Sequence, residues 1–100
     1  MLLYDDVLRL SSDVGKKYRV RVNKRDIIID NSYMGKRYGY ITKEAKEAVN
    51  IFAKKEGIML DYVYSGKAAA GLIDYIDKKN FGKGSNVLFI HTGGNVHLFK

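Results

Sequence analysis

The sequence predicts an α/β fold, a partial parallel sheet with flanking helices. Three observations predict it. Residues 87–90, Val-Leu-Phe-Ile, are apolar without interruption, as in a strand covered on both faces. They run straight into His91-Thr92-Gly93-Gly94, a glycine loop just past the end of that strand. Two stretches of helical periodicity precede them, and helix, turn, strand and loop in succession is an α/β rhythm rather than that of a sandwich or a bundle.

The elements follow in chain order. Leu2, Leu3, Val7, Leu8 and Leu10 recur at helical spacing, so residues 2–13 read as an amphipathic helix with Gly15 as its stop. Residues 18–22 alternate apolar or aromatic with basic, a half-buried strand. Residues 26–30 carry a β-branched run and also read as a strand. Residues 31–40 form a tyrosine-rich loop punctuated by Gly35 and Gly39. Thr42 is an N-cap, and Ala45, Ala48, Val49, Phe52 and Ala53 then share one helical face. Glu44 and Glu47 near its start and Lys54 and Lys55 near its end suit the helix dipole, and Gly57 stands in the C′ place. From Ser65 to Lys79 the pattern is helical again, with Ala69, Leu72, Ile73 and Ile76 inward. Residues 80–85 are a glycine-rich turn.

At 100 residues, 46% hydrophobic and 29% charged, the chain has the size and composition of one domain with a core. No apolar run approaches the roughly 18 residues of a membrane span. The start lacks the basic segment of a signal peptide, and there is no cysteine. Disulfides, thiolate metal sites and a cysteine nucleophile are thereby excluded, and the cytoplasm is the expected compartment. The net charge is +7, with six of the basic residues between positions 16 and 25. A phosphate-binding surface would use such a cluster. Only Tyr18 interleaves it, however, so the stacking platform of a single-strand binder is missing and a solvated hairpin is the better reading. Neither Lys67 nor Lys83 sits in the spacing of a phosphate-binding Walker loop. His91 and His97 have no neighbouring carboxylate in sequence, so no metal site is expected.

Thr92-Gly93-Gly94 can be read in two ways from its own residues. Past a strand end, bare glycine backbone lets a flat ligand approach and Thr92 offers a hydroxyl. Equally, the three residues make a tight turn whose polar groups satisfy one another. The tyrosines, among them Tyr38, Tyr40, Tyr62 and Tyr64, serve packing or a site.

The longer string from Glu56 to Phe99, EGIMLDYVYSGKAAAGLIDYIDKKNFGKGSNVLFIHTGGNVHLF, resembles the C-terminal end of the 1-aminocyclopropane-1-carboxylate deaminase / D-cysteine desulfhydrase family. The shared features are the E-G-I-x-L-D-x-V-Y block, G-K-A, a G-L helix, and V-L-F-I-H-T-G-G. Tyr38-Gly39 followed by a Thr-capped helix is similar to an upstream motif of that family. The resemblance covers about residues 26–99. It implies a tryptophan-synthase-β-like (fold type II) arrangement with pyridoxal 5′-phosphate between two α/β domains. It also implies that these 100 residues are a single partial domain, the C-terminal segment of a larger two-domain enzyme.

Site roles follow from the resemblance residue by residue. Tyr64 corresponds to the active-site tyrosine beside cofactor and substrate, and Tyr38 to a second tyrosine facing the substrate. Ser65 stands where deaminases carry glutamate and desulfhydrases threonine. Thr92 corresponds to the hydroxyl partner of the pyridine nitrogen, with His91, Gly93 and Gly94 shaping the loop. A carboxylate beside that nitrogen strengthens the ring as an electron sink. A hydroxyl does so less, which suits β-elimination of a good leaving group such as thiolate. Ser65 and Thr92, in place of Glu and Leu, resemble the desulfhydrase branch, whose reaction takes D-cysteine to pyruvate, sulfide and ammonia; the deaminase branch is the alternative.

Departures accompany the resemblance. Ile41, Tyr62 and Val96 stand where the family has proline, and Lys79 or Asn80 where it has glycine after the helix. Lys67 matches a family lysine other than the Schiff-base residue, which lies upstream of the matched region together with the phosphate loop. The 100 residues alone are therefore expected to lack turnover. A small amino-acid substrate, and self-association or pairing with the lysine-bearing N-terminal part, are the expected partnerships. A non-catalytic assembly module, or a basic nucleic-acid-binding protein, is the alternative of a different class.

Overall fold

The computed structural model describes residues 4–94. Leu2 and Leu3 of the first expected helix, and Val96 and His97 near the other end, lie outside the described residues. The chain divides into two compact units, Met1–Asp30 and Asn31–Lys100.

In the first unit, helix α1 spans Tyr4–Tyr18, with Asp5 and Asp6 in its first turn and Lys16 and Lys17 in its last. Those charges complement the dipole at both ends. The helix continues through Gly15 and ends one turn later in a Schellman arrangement. Arg19 takes a left-handed φ of 57°, and the Val20 N–H donates to the Gly15 carbonyl at 2.8 Å. Residues 18–22, expected as a strand, are thus a helix end and its reversal. Residues 26–30, also expected as a strand, begin as a 3-10 turn over Lys24–Asp26. The Asp26 carboxylate accepts from the Asn23 N–H at 2.8 Å and ties that turn.

In the second unit, helix α2 spans Lys43–Glu56 and helix α3 spans Ser65–Asp77. The Thr42 hydroxyl accepts from the Ala45 N–H at 3.1 Å. Gly57, φ 66°, closes α2 by donating to the Ala53 carbonyl. Both ends of α2 match the sequence reading. The two helices pack face to face through Ala45, Ala48 and Val49 against Ala69 and Ala70, with Leu60 buried beside them. Gly66 permits this closeness: a Cβ there would stand 2.4 Å from the Asp61 carbonyl and 2.9 Å from a Val49 methyl. The inward stripe of α3 is therefore Gly66, Ala69, Ala70 and Ile73 at i, i+3, i+4, i+7. Ile76, expected inward, is 55% exposed.

The expected α/β architecture is overturned. The described elements are three α-helices and one 3-10 turn, with no strand among the described residues. Residues 87–90 do leave the turn at 82–85 without helical structure. Phe89 packs on Phe52 with ring centroids 5.6 Å apart, whereas Leu88 is 84% and Ile90 71% exposed. A strand needs at least one neighbouring strand to take its N–H and C=O groups. An apolar run signals burial, and among the described residues no second β segment joins residues 87–90 in a ladder. Among the described residues no helix is long and apolar enough to cross a membrane.

Candidate functional site

The site residues of the second unit gather around the start of α3. The chain enters that helix through the turn at residues 61–64, and Asp61 organises the turn. Its side chain has no solvent exposure. Oδ2 accepts from the N–H groups of Val63 and Tyr64, both at 2.7 Å, and Oδ1 from the Ser65 N–H at 2.8 Å. The Ser65 hydroxyl donates to Oδ1 at 2.5 Å and accepts from the Asp61 N–H at 2.9 Å. One carboxylate thus satisfies N–H groups that a helix start leaves unpaired. Burial pushes the Asp61 carboxyl upward, but the Ser65 hydroxyl and the Tyr64, Ser65 and Val63 N–H groups outweigh it and hold the pKa below the ordinary 3.8.

Ser65 is consequently committed inward: it is 3% exposed and its hydroxyl proton points to Asp61. Tyr64, the next residue back, points the other way and is half exposed. Its hydroxyl meets that of Tyr38 in a hydrogen bond, with ring centroids 6.0 Å apart and planes tilted by 58°. The two tyrosines singled out in the sequence are 26 residues apart and form one pair. The loop that carries Tyr38 is anchored by Tyr33, whose hydroxyl donates to Asp74 of α3 at 2.6 Å. The Tyr38 hydrogen bond, burial, and repulsion from Tyr38 and Asp61 raise the Tyr64 pKa above its ordinary 10.0, so the Tyr64 hydroxyl stays protonated at neutral pH.

Thr92, Gly93 and Gly94 arrive from the other side. Gly93 and Gly94 both have left-handed backbone, φ 93° and 89°. A Cβ on Gly94 would stand 2.9 Å from Asp61 Oδ1, while one on Gly93 would meet nothing within 4 Å. Gly94 thus rests on the carboxylate that holds Tyr64 and Ser65, and Gly93 faces open space. Thr92 is exposed, and no hydrogen bond engages its hydroxyl among the described residues. His91 bonds Met59 and Gly93. Lys67 lies half-buried in the first turn of α3.

The family model of the pyridoxal-phosphate-dependent enzymes matches residues 9–93. The chain belongs to this family. Its cofactor is pyridoxal phosphate, and the chemistry of the exposed groups is compatible with a flat ring. Thr92 supplies an unengaged hydroxyl, Gly93 leaves its backbone open to a flat ring, and Tyr64 shows half its surface to solvent. Asp61 is the participant that the residue-by-residue reading missed. Its signal was local: an aspartate four residues before a serine that opens a helix is a capping pattern.

Proposed function

We propose that this chain supplies the tyrosine pair and the pyridine-nitrogen hydroxyl of a D-cysteine desulfhydrase-like lyase, and that it works with a lysine-bearing N-terminal part. The observation that carries the reading is the contrast between two hydroxyls. Ser65 gives its proton to a buried carboxylate, whereas Thr92 is exposed and unengaged beside an open glycine backbone. When bound, the cofactor draws electrons from the substrate carbon whose bonds break. Thr92 offers its pyridine nitrogen a neutral partner. Ser65 likewise places no carboxylate in the site, and both choices favour β-elimination of thiolate over cyclopropane opening. Tyr64, whose pKa the Tyr38 hydrogen bond raises, presents a neutral hydroxyl at Oη. Asp61 orients Tyr64 through its backbone N–H.

Sulfide release from D-cysteine, measured with pyridoxal phosphate present, tests the reading. The chain alone should match the background of the free cofactor. Turnover above it, with a borohydride-trappable adduct on one of this chain's lysines, overturns the dependence on a second part. Joined with the lysine-bearing part of a family enzyme, the chain should release sulfide from D-cysteine faster than ammonia from 1-aminocyclopropane-1-carboxylate. The reverse preference moves it to the deaminase branch.

A further inference from the structure

His91 touches backbone on two sides. Its Nε2 lies 2.8 Å from the Met59 carbonyl oxygen, and the Gly93 N–H donates to its Nδ1 at 3.0 Å. A carbonyl only accepts, so Nε2 must carry a proton. A backbone N–H only donates, so Nδ1 must offer a lone pair. The two partners together permit a single form, the neutral imidazole with its hydrogen on Nε2. Met59 immediately precedes Leu60, the largest fully buried apolar side chain, and Asp61. Gly93 immediately precedes Gly94, where an added Cβ would stand 2.9 Å from the Asp61 carboxylate. The imidazole therefore joins the segment that leads into the α3 turn to the glycine turn laid over it.

The two glycines need such a tie. Each adopts a left-handed φ that other residues avoid, and each pays more conformational entropy on ordering than any residue with a side chain. Residues 87–90 supply no ladder that would align them. We infer that His91, as the Nε2–H tautomer, is a clasp that holds the Gly93–Gly94 turn against the Met59–Asp61 segment and so positions Thr92. The last clause rests on the proposed function; the clasp itself does not.

Histidine-labelled full chain tests the tautomer by proton–nitrogen correlation, with His97→Ala assigning the second histidine. The Nε2–H pattern is expected, and an Nδ1–H pattern overturns the clasp. Amide exchange at Gly93 gives the second readout. His91→Ala should speed it roughly fivefold, the effect of losing one net hydrogen bond. His91→Asn keeps an acceptor near the Nδ1 place and should restore protection at Gly93, whereas His91→Gln, which reaches only the Nε2 place, should not. Unchanged exchange in His91→Ala, or equal behaviour of the Asn and Gln variants, overturns the inference. Pyridoxal phosphate titrated into the same variants joined with the lysine-bearing part of a family enzyme reads the site assignment separately. Weaker binding in His91→Ala with recovery in His91→Asn supports the positioning of Thr92. An intact clasp with unaltered cofactor binding in His91→Ala supports the clasp and overturns that positioning.

Discussion

A carboxylate without solvent contact has to replace the hydrogen bonds it had in water, and Asp61 does so with three N–H groups and one hydroxyl. The exchange makes it a pH-dependent stabiliser. Its folded pKa lies below the ordinary 3.8, so its contribution is fully present above that value and is lost as pH falls through the lower, folded one. Denaturant midpoints should hold between pH 7 and about pH 5 on this account, then fall in more acidic buffer. Asp61→Asn replaces one accepting oxygen with an NH2 group that faces backbone N–H donors. It should cost about 2 kcal/mol in urea unfolding at pH 7 and flatten the acid limb. Gly66 is as constrained for a steric reason. Gly66→Ala places a methyl 2.4 Å from the Asp61 backbone oxygen and 2.9 Å from a Val49 methyl, so the turn before α3 must shift and α2 must give way. A loss of about 1–3 kcal/mol by the same measurement is expected.

Helix ends decide what each element can tolerate. α2 has the Thr, Glu, Lys and Gly that its geometry requires, and its sequence boundaries coincide with its structural ones. α3 is closed differently. Lys79 occupies the left-handed position, φ 57°, and the Asn80 N–H donates to the Tyr75 carbonyl at 2.9 Å. A lysine in that conformation carries a Cβ penalty that glycine escapes. Lys79→Gly should therefore raise the stability of the second unit by up to about 1 kcal/mol, read as a higher urea midpoint with unchanged slope. The family glycine expected near this place is explained by the same backbone requirement. Arg19 closes α1 in the same conformation, so the device occurs at the end of two helices of this chain.

At the scale of the whole molecule, burial is concentrated in one place. The buried apolar residues Ala45, Ala48, Val49, Leu60, Ala69 and Ala70 all belong to the second unit. In α1 the buried residue is Gly15, and Val14 and Leu10 are exposed. Amide exchange should be slowest at the α2–α3 contact and faster throughout α1, because few buried contacts oppose local opening there. Equal protection of α1 and α3 would contradict this distribution. Leu88, at 84% exposure, should tolerate Leu88→Lys within about 0.5 kcal/mol.

The sequence by itself determined α2 from cap to cap, the helical nature of α3 and the left-handed turn at Gly93 and Gly94. These depend on local causes: capping side chains, 3.6-residue periodicity, and glycine where φ is positive. It also carried membership of the broader family of pyridoxal-phosphate-dependent enzymes. Only the tertiary structure decided the rest. Residues 87–90 look like a strand because they are apolar, but ladder pairing is a relation between segments and cannot be read from one of them. The inward face of α3 was misjudged at Ile76 because glycine and alanine, rather than the largest apolar side chains, let two helices come close. The pairing of Tyr38 with Tyr64, and the seating of Gly94 on the Asp61 carboxylate, are contacts across as many as 33 residues of chain. Such contacts exist only once the helices have packed.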